Sequence, residues 1–278
     1  MIRRSALLAA FFCLFAAPAR AAPPHVYTDA ELLAMASRHS AADLRHLPLG
    51  DGKYTLDTPR KGYIDLCRLP RGRGGGAQHA GPWIHGSTWN PSEKIFVQGR
   101  QFWNDARFSM SLDNGQRDFT GNGLPVDTPT GIFPIQSSDP AFQYDRNPNG
   151  VEEQDYSDSF PLHPAYTDPP SCMEMEVGVM TNGVPLFNGF DADLRDAAAH
   201  EVQDHCDGHP QSGGEYHYHS LSACLKNTDI HHVIGYALDG FPITGGTVAP
   251  GKFLTTGDLD ECHGLTSAIM LDGKKTVT

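Results

Sequence analysis

Two stretches of this chain repeat each other without a gap, and that duplication constrains its folding more than any other feature. Val177-Gly178 is followed after three positions by Asn182-Gly183 and then, after one more, by Pro185-Leu186. Fifty-seven positions later, Ile234-Gly235 is followed at the same spacing by Asp239-Gly240 and Pro242-Ile243. Each copy sets an Asn-Gly or Asp-Gly pair between short apolar runs, the strongest local signature of a tight β-hairpin. A second echo follows: Asp204-x-Cys206-Asp207-Gly208 returns 56 positions later as Asp260-x-Cys262-His263-Gly264. The repeated unit is therefore strand, turn, strand and a Cys-bearing loop, within a repeat core over residues 174–278. Such a chain builds sheet from hairpins, and its 29 Gly and 21 Pro argue against a helical bundle.

Outside the repeats, two further runs alternate apolar and polar residues as strands do, Lys94 to Arg100 and Arg107 to Leu112. Residues 145–170, rich in Asp, Asn and Pro, read as a long surface loop. So does the Gly-rich stretch 70–82, which lacks the Gly-Lys-Ser/Thr ending of a phosphate-binding loop. Thr28 with Glu31 forms a capping box that starts a helix carrying Leu32, Leu33, Met35 and Ala36. Ser40 with Asp43 predicts a second short helix. Asp191 to Gln203 predicts a mid-chain helix with Leu194, Ala197, Ala198 and Val202 on one face. The expected fold is β-rich α+β: duplicated β-hairpin units, one mid-chain helix and a short N-terminal helical arm. Its divisions are a helical N-terminal segment over 22–58 and a β-rich domain over 59–278.

Residues 1–21 read as a secretory signal peptide. Arg3 and Arg4 precede an apolar run from Ala6 to Ala17, which ends at Pro18 and an Ala19-Arg20-Ala21 cleavage pattern. The run is too short to span a bilayer. Export predicts a periplasmic or secreted protein in an oxidising compartment. Cleavage removes Arg3, Arg4 and Arg20 and moves the net charge from −12 to −15, which excludes a nucleic-acid backbone binder. Of the five mature cysteines, Cys206 is expected to pair with Cys224 and Cys67 with Cys172, leaving Cys262 over.

The 14 histidines concentrate between His200 and His263, around Cys206-Asp207-Gly208-His209-Pro210 and Tyr216-His217-Tyr218-His219. If the second tetrapeptide is extended, both histidines share one face and both tyrosines the other. Imidazoles at i and i+2 can chelate one ion, with His209 on the neighbouring turn as a third ligand and Asp207 or Glu215 as an acidic fourth. Imidazole ligands suit copper or zinc. The alternative is a structural or cell-surface interaction module, with neither metal nor catalysis, in which these histidines only pack. His263 could serve a duplicated site. No nucleophile elbow, zincin helix or calcium loop is present to name a reaction, and no feature names a protein partner.

The motifs Cys206-x-Gly208-His209-Pro210, Tyr216-His217-Tyr218-His219 and Gly235 to Ile243 resemble the YHYH family of secreted bacterial proteins, as does Gly178 to Phe187. The resemblance implies an exported domain with metal binding by the motif histidines and no transferable activity. Family members look as though they continue past the second Cys loop to a second Tyr-His-Tyr strand. Leu271 to Thr278 reads as a turn entering a strand, so the expectation is a chain truncated at its C-terminus.

Overall fold

Residues 24–40, 42–70, 77–167 and 170–278 are described by the computed structural model. The expected signal peptide and positions 71–76 of the Gly-rich loop lie outside the described residues. The capping box at Thr28 starts α1 (Asp29–Ala36), with both reciprocal bonds formed. Leu32 and Ala36 are buried while Leu33 is exposed, so α1 docks through a narrow stripe. The expected second helix is reduced to a single 3-10 turn, Asp43–Arg45, opened by the Ser40 N–H donating to Asp43 at 2.6 Å. Arg38 and His39 fasten this arm to the buried Asp258, each at 2.7 Å.

An antiparallel three-stranded sheet follows, with β1 (Phe108–Asp113), β2 (Gln116–Gly121) and β3 (Tyr156–Pro161) in that order. β3 lies inside the segment that reads as loop. Its apolar anchors, Tyr156 and Phe160, stand four residues apart across Ser-Asp-Ser, too sparse to show a period of two. They are buried against Phe119, and the β2 ladder runs from Gln116↔Pro161 to Gly121↔Tyr156. The expected strand over Lys94 to Arg100 forms only a single bridge at Val97↔Asp204. The Gln98 N–H is taken by the Asp139 carboxylate, and Gly99 at φ +96° turns the chain away.

The central sheet has six strands: β4 (Glu176–Met180), β5 (Pro185–Phe187), β6 (Gly208–Pro210), β7 (Tyr216–Tyr218), β8 (Val233–Ala237) and β9 (Pro242–Thr244). They lie in the order β6-β7-β5-β4-β8-β9. Both repeat copies are hairpins, β4/β5 and β8/β9, as their turn residues require. The copies meet through an antiparallel β4·β8 ladder, Gly178↔Ala237, Val179↔Tyr236 and Met180↔Gly235. At the 57-residue offset this register maps onto itself, which makes it a pseudo-twofold centred on Val179 and Tyr236. Those two residues pack toward Phe119, whereas Met180 and Ile234 join Val184, Tyr216 and Tyr218 in a separate core cluster.

The predicted mid-chain helix shrinks to one turn, α2 (Ala197–His200). Asp191 causes the loss: its Oδ1 accepts the N–H groups of Asp193 and Arg195, closing a local turn that competes with helix, and Leu194 takes φ +61°. Past β9, β10 (Thr266–Leu271) and β11 (Lys274–Val277) form a hairpin; its turn and second strand are those expected at Leu271 to Thr278, its first strand is not, and β11 lies at the sheet edge. Both expected disulfides, Cys67–Cys172 and Cys206–Cys224, are in place, and Cys262 is free.

Candidate metal centre

The β6/β7 register sets His209 directly opposite His217, and the strand period puts His219 on the same side two residues on. On the other face Tyr216 and Tyr218 are buried and their hydroxyls anchored. Tyr216 donates to Asp204, and Tyr218 accepts from Asn182, the turn residue of the first hairpin, at 3.0 Å. Phe187 of β5 stacks on the His217 ring at 4.1 Å between centroids. The extended geometry expected of the tetrapeptide is therefore the one observed, held by two tyrosine anchors and an aromatic cover.

His209, His217 and His219 each present one ring nitrogen to a common space, all within 4.8 Å of one another. His217 Nδ1 lies 3.1 Å from the Glu215 carbonyl oxygen, and His219 Nδ1 lies 2.6 Å from that of Asn188. A carbonyl only accepts, so both Nδ1 atoms carry hydrogen and both Nε2 atoms are bare. Those Nε2 atoms nevertheless approach to 3.0 Å. Burial holds all three imidazoles neutral: desolvation drives His209 and His217 far below the ordinary histidine range and His219 down to about 4. His209 makes no hydrogen bond from either nitrogen among the described residues. Such a trio could hold a metal ion.

A carboxylate that sequence reasoning passed over completes the surroundings. Glu201 Oε2 lies 3.4 Å from His209 Nε2 and 3.5 Å from His219 Nε2, with its side chain 8% exposed and that oxygen without a hydrogen bond. Desolvation lifts its pKa to about 8, with Asp191 and Asp145 adding repulsion. The signal was available: in the predicted helix Glu201 falls on the apolar face beside Leu194, Ala197 and Ala198, where a lone charge is out of place. The expected acidic ligands sit elsewhere. Asp207 accepts the Ala223 N–H at 2.7 Å, and Glu215 accepts from Gln211. His263 donates to the Tyr63 carbonyl oxygen at 2.9 Å, away from this cluster.

The four side chains line a cleft of about 1100 Å³, walled by Phe187, Phe190, Met173 and Asn147 among others. At the 56-residue offset, the second repeat has Leu265, Gly273 and Lys275 where the first has His209, His217 and His219.

No curated protein and no solved structure matches the chain. Residues 157–250 match the sequence profile of the family described as YHYH protein, a span that runs from β3 through both hairpins and the whole histidine cluster. Through that span, with His217 and His219 lining its cleft, the chain carries a domain that matches the YHYH protein family.

Proposed function

We propose that this chain is an exported transition-metal-binding protein that holds one zinc or copper(II) ion with His209, His217 and His219. The reading rests on the 3.0 Å approach of His217 Nε2 to His219 Nε2 while both Nδ1–H groups are engaged by carbonyl oxygens. Two bare lone pairs that close repel, and in a buried site little screening relieves them. A cation between them turns repulsion into coordination. Fixing the tautomer through a remote N–H on a carbonyl is the usual support of a ligating histidine. Copper(II) binds such donors most tightly by intrinsic affinity, and tetrahedral zinc suits three converging imidazoles. A bound ion of either kind supplies Lewis acidity to a molecule entering the cleft. The chain's own part is to orient the imidazoles, keep them neutral and shield His217 beneath Phe187. Export is supported by the basic and apolar N-terminal pattern and by two disulfides. Among the described residues no helix is long and apolar enough to cross a membrane.

Protein exported to a bacterial periplasm and purified without chelator is expected to carry about one equivalent of metal by mass spectrometric elemental analysis. His217→Ala/His219→Ala is expected to carry none while keeping both disulfides and its circular dichroism. Wild-type protein that arrives metal-free and takes up neither zinc nor copper(II) in calorimetry would leave these histidines a packing role, as in a structural or surface-interaction module.

A further inference from the structure

We infer that Glu201 is a fourth ligand, making the centre a three-histidine, one-carboxylate site that prefers divalent to monovalent cations. The inference rests on the metal-binding reading above and specifies its coordination. Metal–ligand bonds of about 2.0–2.1 Å put the donor atoms of a tetrahedral site roughly 3.3 Å apart. Three of the six separations among Glu201 Oε2 and the three Nε2 atoms are 3.0, 3.4 and 3.5 Å. A four-donor arrangement is thus partly assembled before any ion arrives.

Among the described residues, the neighbouring cations are engaged elsewhere. Lys94 Nζ is engaged by the Ala198 carbonyl and Gln203 Oε1, and Arg195 by Asp191 and the Ala77 carbonyl. Glu201 Oε2 is buried, makes no hydrogen bond among the described residues and faces the imidazoles. A buried carboxylate oxygen left so lacks a partner that a metal ion between it and the imidazoles would supply. Its backbone is fixed on both sides: the Glu201 N–H donates to the Ala197 carbonyl and the Val202 N–H to Asp145, at 3.0 and 2.9 Å. The side chain is therefore aimed by α2 and not by the strand that bears the histidines. A hard oxygen donor of full negative charge attracts a divalent ion about twice as strongly as a monovalent one at equal distance. It also suits zinc or copper(II) better than copper(I), which selects soft sulfur donors.

The test titrates the full-length chain, stripped of metal, with zinc chloride against a competing chelator, and anaerobically with copper(I) held by bicinchoninate. Glu201→Gln keeps the shape and removes the charge. It is expected to keep a stoichiometry of one and weaken zinc by about 100-fold or more, beyond what losing a supporting hydrogen bond costs. Copper(I) affinity is expected to fall by only the square root of that factor, about tenfold, because a monovalent ion feels half the attraction. A variant that binds zinc as tightly as the wild type, while His217→Ala/His219→Ala does not bind, overturns the role of Glu201 and leaves the three-histidine site standing. Equal losses for both ions overturn it too, because they mark a distorted pocket instead of a lost anion. No uptake by the wild type defeats the metal reading itself. Should Glu201→Gln not fold, the copper(II) form of the wild type decides by electron–nuclear double resonance. A strongly coupled exchangeable proton, as from a water in the fourth position, overturns the inference, and its absence supports it.

Discussion

Tyr216 donates its buried hydroxyl to Asp204, with the phenol oxygen 2.8 Å from Oδ2 and 3.0 Å from Oδ1. The same carboxylate accepts the N–H groups of Gly131 at 2.6 Å, Cys206 at 2.8 Å and Gly208 at 3.3 Å. One acid therefore ties together the disulfide loop, the strand of His209 and the strand of His217. Burial raises its pKa to about 6, and these hydrogen bonds offset part of that rise. Tyr216→Phe is expected to destabilise the fold by about 1.5–3 kcal/mol, the range for a hydrogen bond to a charged group. Urea denaturation with an unchanged m-value measures it, and a loss below about 0.5 kcal/mol would show that the backbone donors suffice alone.

Gly208 leaves no room for a side chain. A Cβ built there stands 2.2 Å from Tyr216 Cζ, so any larger residue must push the tyrosine off its anchor. Gly208→Ala is expected to cost about 3 kcal/mol or more, at the upper end for overpacking, although no ligand is touched. Its metal affinity should fall together with its stability. A variant with wild-type melting temperature and affinity would contradict the tight fit described for β6 against β7.

The Cys206–Cys224 bridge closes a loop across 18 positions, and the Cys67–Cys172 bridge one across 105. In the chain-entropy view the shorter contributes about 3 kcal/mol and the longer about 4.7 kcal/mol. Cys206→Ser/Cys224→Ser is therefore expected to lose less stability than Cys67→Ser/Cys172→Ser but more metal affinity, since its loop runs through the histidine strand. Calorimetry on both double variants checks the inversion of order.

Glu176 sets a pH slope away from the histidines. Desolvation, with Glu215 and Asp158 adding repulsion, lifts its pKa to about 7 against the hydrogen bond from Tyr156. The folded chain then holds a proton that the unfolded chain releases above its ordinary 4.5. The stability this group contributes is complete below 4.5 and is lost as pH rises through 7. Glu176→Gln, which still accepts from Tyr156, is expected to flatten that interval and to exceed the wild type in stability at pH 8. Parallel denaturation curves for the two proteins from pH 4.5 to pH 8 would refute the assignment.

Much of this architecture was legible. Asn182-Gly183 and Asp239-Gly240 announce both hairpins because few dipeptides tolerate the required turn, and the alternation from Tyr216 to His219 orients the tetrapeptide. What escaped was set by tertiary partners. β3 carries too few apolar residues to signal a strand and exists because β2 pairs with it. The mid-chain helix fails because Asp191 diverts its backbone, a competition that apolar periodicity does not register. Glu201 and Asp204 gain their importance from burial, and a sequence places an acid without saying what surrounds it.

The self-mapping ladder between β4 and β8 has a consequence for how such a chain can vary. Val179 and Tyr236 meet at positions that are counterparts in the two copies, as residues on the axis of a symmetric dimer do. The two halves of the hydrogen-bonded seam answer to one geometry, so a change of bulk beside the axis is felt by its own counterpart. The histidine cluster on β6 and β7 lies outside that constraint. The seam holds both halves to one geometry while their flanks are free to differ, and the three-histidine cluster lies on one flank.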